Sequence, residues 1–261
     1  AMSALAQRYA QDGVAFPFRV MSAAEAADAR RGYEELHARD PRFRKKPHML
    51  VPWLARLVRA PAILDPVSEI LGNDVLCWSS LFFAKPAGDP GYVAWHQDAT
   101  YWGLSEPAVL TAWIAFTPST RESGCLRVVP GSHRAPALPH RANNDAANML
   151  SRSQEIAVAV DEAQAVDVVL APGEMSLHHV MTVHGSEPNR AAEPRIGYAI
   201  RYIAGRVRQT AGPMDSATLV RGRDLGNFQP EPTPVAAFDA AALAAHAAML
   251  QRQAEIAALL G

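Results

Sequence analysis

The sequence predicts a mainly β fold, a sandwich or a barrel, with helices on its flanks. Between residues 75 and 204, short apolar runs of strand length follow one another, and proline or glycine separates them. Long helical patterns are missing between these runs, which argues against a sheet of alternating strands and helices. The segments before residue 72 and after residue 235 are instead rich in alanine and leucine and indicate helices.

The bulk properties indicate one globular domain without a strong global charge. The chain has 261 residues, 49% of them hydrophobic, and a formal net charge of −1. We therefore expect no nucleic-acid partner, and no membrane segment, because no uncharged apolar run reaches the ~18 residues of a membrane span. Two cysteines, Cys77 and Cys125, are too few for a disulfide framework and suggest reduced thiols in a cytoplasmic protein. A single domain over residues 2–261, as a monomer or homodimer, is the expected organisation.

The N-terminal part of that domain, about residues 20–72, has helical character. Ser22 and Glu25 form a capping-box pattern that predicts a helix start. Pro61 divides the apolar segment that follows, and Gly72 ends it. The predicted elements are a helix over 22–39, a loop over 40–48, and short helices over 50–60 and 62–71.

The barrel is expected over about residues 74–205, followed by an irregular segment and a C-terminal helix over 206–261. The predicted strands are 75–84, 109–117, 125–129, 165–170, 175–183 and 196–204. Polar residues 135–153 predict an insertion loop or short helix near the barrel mouth. Residues 206–234 are rich in Gly, Pro, Arg and Asp, which predicts irregular structure, whereas 235–260 predict a helix packed on the barrel or on a partner subunit.

A His-Gln-Asp triplet at residues 96–98 and an isolated His-Gly-Ser at residues 184–186 are the candidate metal motif. In an extended strand, His96 and Asp98 point to one side and reach one ion, while Gln97 points away. His184 on a distant strand is a suitable third ligand. Two imidazoles and one carboxylate leave three positions of an octahedral iron open, and the lack of thiolates argues against structural zinc. Alone, a His-x-Asp pair is also compatible with a hydrogen-bonded pair at the surface.

Arg195 follows His184 after eleven residues, and a guanidinium there is suited to bind the carboxylate of a cosubstrate. An isomerase or hydrolase of the cupin type would not need this arginine. The pattern therefore favours an oxygen-using iron enzyme, with non-oxidative metal chemistry or a silent binding protein as alternatives.

The region of about residues 75–205 resembles the phytanoyl-CoA dioxygenase family of iron(II)/2-oxoglutarate oxygenases. The segments that carry the resemblance are Leu81-Phe82-Phe83-Ala84-Lys85-Pro86, Trp95-His96-Gln97-Asp98, Thr111-Ala112-Trp113, Gly124–His133, His184–Arg190 and Pro194–Tyr202. The resemblance implies a double-stranded β-helix, a jelly-roll or cupin-like barrel whose mouth holds the metal. It further implies Fe(II), 2-oxoglutarate as cosubstrate, and O2.

The same resemblance implies the roles of individual residues. It assigns the iron to His96, Asp98 and His184, and the distal carboxylate of 2-oxoglutarate to Arg195 and Ser186. Trp113 matches a position that lines the cosubstrate pocket, although ordinary barrel core explains it equally well. Lys85 points into the same region or is a solvated lysine at a strand end. Because Asp98 is a carboxylate where related halogenases have a small residue, hydroxylation is favoured over chlorination.

The remaining histidines are expected to have supporting roles. Of His178 and His179, which alternate along one strand, one must face inward, and His179 matches a frequent family histidine of the core or the surroundings of the metal. His133 follows a Pro-Gly-Ser turn and is expected to form a local hydrogen bond. His140 and His246 carry no signal.

The implied reaction is hydroxylation of an unactivated C–H bond with succinate and CO2 as coproducts. His48, Tyr101 and Arg201 are the candidate substrate contacts, and cations among them favour a small anionic substrate. A 2-aminoethylphosphonate-like compound is the leading specific hypothesis, and natural-product tailoring is its main competitor. Most of these charges are also compatible with solvated loops.

Overall fold

The computed structural model describes residues 1–98, 102–150, 154–157 and 159–260, with the backbone alone for residue 154. The α-helices within these residues are α1 Ala4–Asp12, α2 Ala23–Arg39, α3 Pro52–Leu57, α4 Pro61–Leu71 and α5 Ala240–Leu260. The strands are β1 Val14–Arg19, β2 Val75–Lys85, β3 Val93–His96, β4 Val109–Ala115, β5 Leu126–Val128, β6 His140–Ala142, β7 Gln154–Ile156, β8 Val166–Asp167, β9 Glu174–His179, β10 His184–Ser186, β11 Arg195–Ala204, β12 Ser216–Arg221 and β13 Gln229–Pro230.

The strands form three sheets. A seven-stranded sheet has the order β1-β9-β4-β11-β2-β12-β13, a four-stranded sheet has the order β3-β10-β5-β8, and β6 pairs with β7. Neighbouring strands of the four-stranded sheet pair antiparallel, as in jelly-roll folds. The mainly β fold with flanking helices confirms the predicted class.

The chain divides into two compact units. The first comprises Ala1–Gly32, Phe83–Thr100 and Trp113–Tyr198, and the second comprises Tyr33–Phe82, Tyr101–Ala112 and Ala199–Gly261. Each unit has its own apolar interior. The fully buried residues include Ile114, Val128, Met175 and Leu177 in the first unit, and Leu50, Leu54, Val58 and Ile63 in the second. Burial of each such side chain is worth about 1.5–3 kcal/mol.

The helix boundaries follow the local signals of the sequence closely. The hydroxyl of Ser22 accepts the Glu25 N–H at 3.1 Å, and the Ser22 N–H donates to the Glu25 carboxylate at 3.4 Å, which confirms the capping box. The predicted short helices are observed as α3 and α4, and the second ends before Gly72, whose φ of 91° suits glycine. No helix in the described part of the chain is both long and apolar enough to cross a membrane.

Four parts of the sequence prediction are wrong. The region 135–153 contains β6, and the region 206–234 contains β12 and β13. The prediction also missed α1 and β1, and α5 begins at Ala240, five residues later than expected. The short strands lack a long apolar run and are stabilised by their neighbours, as β12 is by antiparallel pairing with β2. Asp239 accounts for the start of α5, because its carboxylate accepts the Ala242 N–H at 2.8 Å.

Candidate metal centre

Two neighbouring strands of the first unit bring the sequence motifs together. β3 and β10 are antiparallel, and His184 lies directly opposite His96 in their register. Asp98 follows β3 after one residue, and its backbone N–H donates to the carbonyl of Val180 at 3.1 Å. Strand pairing therefore joins two motifs that are 86 residues apart in the sequence.

The side chains of His96, Asp98 and His184 converge on one point. One ligand atom from each of them lies within 4.8 Å of the other two, and all three residues are buried. The Nε2 atom of His96 is 3.0 Å from Oδ1 of Asp98, and the Nε2 atom of His184 is 3.6 Å from Oδ2. Ligands bound at about 2.1 Å and at right angles to one another lie about 3 Å apart. The two spacings between imidazole and carboxylate are therefore close to those of neighbouring ligands on one metal ion.

Backbone carbonyls orient both imidazoles. Nδ1 of His96 donates to the carbonyl of Ala94 at 2.9 Å, and Nδ1 of His184 donates to the carbonyl of Thr182 at 2.8 Å. Each Nδ1 therefore carries the proton, and each Nε2 presents its lone pair towards the other ligands. Such bonds on the far side of a histidine are typical of metal ligands. The chemistry of the donor set thus fits an ion that prefers nitrogen and oxygen.

Gln97 points away from this cluster, as the alternation of a strand predicts. Its side-chain amide donates to the carbonyl of Met181 at 2.9 Å, and its amide oxygen accepts the N–H of Leu138 at 2.9 Å. Neither bond involves a ligand atom of the cluster.

Beside β10, Lys85 and Arg195 place two buried basic side chains close together. The Lys85 ammonium donates to Ser186 Oγ at 2.6 Å and to the Gly124 carbonyl at 3.2 Å. One terminal nitrogen of Arg195 donates to the same carbonyl at 2.5 Å, while its buried Nε has no hydrogen-bond partner among the described residues. Neither side chain forms a salt bridge with any residue that the structure describes. The arrangement leaves positive charge and an unused donor for an anionic ligand.

The electrostatics of these two cations reflect their burial. Burial, together with the neighbouring Arg195, lowers the pKa of Lys85 to about 6. Burial also lowers the pKa of Arg195 to about 10. A carboxylate bound between the two groups would offset the free-energy cost of burying their charged forms.

Trp113 lies against Arg195 in the same part of the first unit. The centre of its indole ring is 5.1 Å from the guanidinium carbon. Gly197, two residues beyond Arg195, makes room for this ring, because a Cβ atom at that position would lie 2.0 Å from Cζ2 of the indole. The glycine is therefore required by the close approach of the tryptophan.

The other histidines of the first unit differ from expectation in their partners. His178 is the inward residue of its pair, with its ring centre 4.8 Å from that of His184. His179 is half-buried, and its Nδ1 accepts the Met181 N–H at 2.9 Å. His133 donates to the carbonyl of Ala10, which is 123 residues away, so the expected local bond is wrong. His140, which had no sequence signal, bonds to Gln97 within the metal motif.

Of the three expected substrate residues, the structure describes Arg201 and His48, which have different partners. Arg201 lies in the second unit, with its guanidinium carbon 4.6 Å from the ring centre of Trp102. His48 lies in the same unit, is 2% exposed, and its ring nitrogens lie 2.7 Å from Ser80 Oγ and 2.9 Å from Glu231 Oε1. These two bonds do not support a contact of His48 with a substrate, which stays a prediction. Tyr101 lies outside the described residues.

Sequence reasoning missed the positions of His140 and His178 for different reasons. His140 has its partner 43 residues away and follows no motif. The direction of His178 was accessible in principle, since it is separated from the ligand-bearing segment only by a short turn. That turn, however, changes the alternation after β9, and the Thr182 N–H donates to the His179 carbonyl at 3.0 Å.

The chain matches one known protein family and is similar to several known proteins. The model of the family described as phytanoyl-CoA dioxygenase matches residues 9–197. A Stutzerimonas stutzeri protein, described as a probable alpha-ketoglutarate-dependent hypophosphite dioxygenase, is 32% identical over 162 residues, which are 59% of this chain and 56% of that protein. The L-proline trans-4-hydroxylase of Streptomyces griseoviridis is 30% identical over 204 residues, which are 71% of this chain and 72% of that protein. The chain thus spans little more than half the length of the first of these relatives.

Similar structures extend over nearly the whole chain. The apo form of a non-heme monooxygenase named ThoJ is 40% identical, covers 98% of each chain, and superimposes with a TM-score of 0.89. A ThoJ–nickel complex is 35% identical and covers 98% of this chain and 100% of that chain, with a TM-score of 0.84.

Proposed function

The chain belongs to the phytanoyl-CoA dioxygenase family, and on that premise we propose that it is an Fe(II)- and 2-oxoglutarate-dependent oxygenase that hydroxylates a small molecule. One observation carries this proposal. Two imidazole nitrogens and one carboxylate, brought together from two antiparallel strands, lie within 4.8 Å of one another in a buried cluster. Surface clusters of acidic groups are common, whereas a buried set of two histidines and one aspartate matches the facial triad of non-heme iron oxygenases.

His96, Asp98 and His184 hold the iron in this proposal. Their Nε2 and carboxylate atoms would bind the ion, and the carbonyls of Ala94 and Thr182 keep both imidazoles in the tautomer that binds metal. Binding of the ion would also replace the direct contact of each imidazole with the Asp98 carboxylate.

Arg195, Lys85 and Ser186 bind the distal carboxylate of 2-oxoglutarate, and Trp113 forms the wall beside it. Support comes from the donors of the site, since Nε of the buried Arg195 has no hydrogen-bond partner among the described residues, and a bound anion would accept from it and offset the burial of the guanidinium charge. A guanidinium and an ammonium that already share the carbonyl of Gly124 approach a carboxylate from two sides.

A bound iron would supply the activation of dioxygen. The coupled oxidation of 2-oxoglutarate to succinate and CO2 would provide the oxidising power for C–H hydroxylation. The protein supplies the rest of the reaction. It holds the cosubstrate by charge, keeps the metal in a site with little exposure to water, and orients each imidazole through a backbone carbonyl.

We propose a small molecule with an anionic group as the substrate, with 2-aminoethylphosphonate-like compounds as the first to test. Arg201 is the candidate contact, because its guanidinium lies over the indole of Trp102 and offers a planar set of donors to an anionic group. The names of two relatives support this class, since hypophosphite is an anion and L-proline carries a carboxylate. Tailoring of a natural product is the alternative within the same family.

The experiment uses the full chain with Fe(II) and 2-oxoglutarate under anaerobic conditions. A panel of phosphonates, amino acids and larger natural-product scaffolds is added, and a shift of the visible iron–2-oxoglutarate absorption band identifies a bound substrate. Oxygen is then admitted, and succinate and hydroxylated product are measured by mass spectrometry. Succinate formed in step with product supports the proposal. Conversion of any panel member without consumption of 2-oxoglutarate would instead indicate non-oxidative metal chemistry.

A further inference from the structure

Gln97 lies between two of the proposed ligands, and it is 1% exposed. Its backbone N–H donates to Nε2 of His140 at 3.0 Å. Its side-chain amide donates to the carbonyl of Met181 at 2.9 Å, and its amide oxygen accepts the N–H of Leu138 at 2.9 Å. Gln97 therefore joins the metal motif to two segments that are far away in sequence, the start of β6 and the turn before β10.

The proton positions of His140 follow from its partners. Its Nδ1 lies 2.9 Å from the carbonyl of Leu138, which only accepts hydrogen bonds, so that nitrogen carries the proton. Nε2 then has a lone pair, and this lone pair accepts the N–H of Gln97. An apolar side chain at residue 140 would leave that N–H without this acceptor in a buried place.

The bonds of Gln97 connect the two halves of the ligand set. Gln97 adjoins both His96 and Asp98, while Met181 comes three residues before His184. The N–H of Asp98 adds a parallel link to the carbonyl of Val180 at 3.1 Å. The two ligand-bearing segments are thus held together by bonds that involve none of the ligand atoms.

We propose that Gln97 and His140 are positioning residues of the metal centre, which hold the segment of His96 and Asp98 in register with the segment that leads to His184. They act through the backbone and through Met181, and not as ligands. This inference rests on the proposed function. In other metalloproteins, residues that hydrogen-bond to the metal ligands without binding the metal contribute about 10–100-fold to metal affinity.

The hairpin that carries His140 has other attachments to the same strand. The N–H of Tyr92 donates to the carbonyl of Ala147 at 2.9 Å, and the N–H of Met149 donates to the carbonyl of Tyr92 at 2.8 Å. Arg141 pairs with Glu155 across the hairpin at 2.7 Å. Loss of the His140 ring therefore removes one link to the metal motif, while the hairpin keeps its remaining bonds.

The test measures Co(II) binding to the full metal-free chain by visible absorption, together with thermal unfolding of the metal-free chain. His140→Leu and Gln97→Met remove the links, and His140→Gln keeps an acceptor of similar reach. We expect the first two variants to bind Co(II) about 10–100-fold more weakly. His140→Gln should recover most of that loss, and the unfolding temperature should not follow the same order. Gln97→Met keeps the test decisive if His140→Leu does not fold.

The matched control is Arg141→Leu, which changes the next residue of the same hairpin and breaks its exposed pair with Glu155. Its Co(II) affinity should equal that of the unaltered chain. Equal weakening by Arg141→Leu and His140→Leu would overturn the inference, because hairpin stability would then explain both. Unchanged affinity in His140→Leu and Gln97→Met would overturn it as well.

Asp98→Ala separates this inference from the proposed function. If the unaltered chain binds Co(II) and Asp98→Ala does not, the metal centre stands, and only the variants of Gln97 and His140 decide the positioning role. If the unaltered chain binds no Co(II), or Asp98→Ala binds it equally well, the proposed metal centre fails and the positioning role fails with it.

Discussion

The ammonium nitrogen of Lys85 lies 2.6 Å from the hydroxyl oxygen of Ser186, and both side chains are buried. Lys85 ends β2, and Ser186 ends β10, so the contact joins a strand of the seven-stranded sheet to a strand that carries a proposed iron ligand. The Lys85 nitrogen thus lies beside the Ser186 hydroxyl, and it shares the Gly124 carbonyl with the guanidinium of Arg195. These three groups are the donors that we propose for the distal carboxylate of 2-oxoglutarate.

Binding of 2-oxoglutarate should take up a proton. Above about pH 6 the free site holds Lys85 largely neutral, because burial and Arg195 lower its pKa to about 6. A bound carboxylate favours the charged form and raises that pKa, so the complex carries a proton that the free site lacks. Affinity should therefore fall as the pH rises through the range between the two pKa values. Calorimetric titration of the anaerobic Fe(II) protein in buffers of different ionisation enthalpy measures the uptake directly.

Lys85→Arg and Lys85→Met are the controls for this proton uptake. Arginine keeps its charge throughout, so Lys85→Arg should bind 2-oxoglutarate without buffer-dependent heat. Lys85→Met should lose the proton uptake and bind about 10–100-fold more weakly, as expected for a charged hydrogen bond worth about 1.5–3 kcal/mol. Buffer-independent heat in the unaltered chain would contradict the prediction.

Gly197→Ala should disturb the proposed 2-oxoglutarate site, because it displaces Trp113 from its position beside Arg195. The added methyl carbon would lie 2.0 Å from the indole of Trp113, and the ring would have to move from its place beside Arg195. We expect a loss of about 1–3 kcal/mol in the free energy of unfolding, together with weaker 2-oxoglutarate binding. Urea unfolding and the 2-oxoglutarate titration check both effects.

The double variant Gly197→Ala/Trp113→Leu tests the cause, because a smaller side chain leaves space for the methyl group. The added effect of Gly197→Ala should be much smaller in the Trp113→Leu background. Equal effects in the two backgrounds would show that contact with the indole is not the reason.

Asp98→Ala should abolish hydroxylation and metal binding together. The carboxylate lies 3.0 Å and 3.6 Å from the two imidazole nitrogens, and its removal leaves two ligands of three. We expect Co(II) affinity to fall by more than about 100-fold, since even supporting residues change it by 10–100-fold. Full activity with bound iron in this variant would remove Asp98 from the ligand set. Glu255→Ala on the exposed face of α5 is a control for loss of one negative charge.

Glu231→Gln should destabilise the second unit and change its response to acid. The Glu231 carboxylate accepts from Lys46 at 2.8 Å, and it lies 2.9 Å from Nε2 of His48. Burial alone would raise its pKa, but Lys46 and His48 outweigh burial and hold the pKa well below its usual range. Loss of the charge leaves Lys46 buried without its partner, which costs about 3–5 kcal/mol. Urea unfolding at neutral pH measures this loss.

The pH dependence of that stability has a definite sign. A carboxyl whose pKa is lower in the folded state stabilises the fold above its unfolded pKa of about 4.3, and this contribution is lost as the pH falls through the folded pKa. The unaltered chain should therefore lose more stability than Glu231→Gln between about pH 5 and about pH 3. Glu255→Gln, an exposed change of the same kind, should behave as the unaltered chain. Parallel pH profiles for Glu231→Gln and the unaltered chain would contradict the assignment.

Local signals in the sequence predicted those elements whose boundaries depend on neighbouring residues. The capping box of Ser22 and Glu25 and the glycine after α4 are of this kind, and the structure confirms both. Long apolar strands such as β2 and β11 were also predicted, because burial alone favours them. β12 and β13 were missed, since a short strand of mixed composition is decided by the strand that pairs with it.

In the candidate site, too, local features were predicted from the sequence and long-range contacts were not. The identities and spacing of His96 and Asp98 were sufficient to predict that they face one side while Gln97 faces the other, and the hydrogen bonds agree. The position of His140 next to Gln97 could not be predicted, because it depends on how a hairpin more than 40 residues away docks on β3. For the same reason, strand alternation did not show which of His178 and His179 faces His184.

The types of ligand, their order along the chain and the class of fold followed from the amino-acid sequence, because side-chain chemistry and strand periodicity are local properties. The register that sets His184 opposite His96, the burial of Lys85 beside Ser186, and the link from Gln97 to His140 were decided by the tertiary structure. Each of them depends on the pairing of segments from 40 to more than 100 residues apart. Packing and hydrogen bonding select such pairs only when the whole fold assembles.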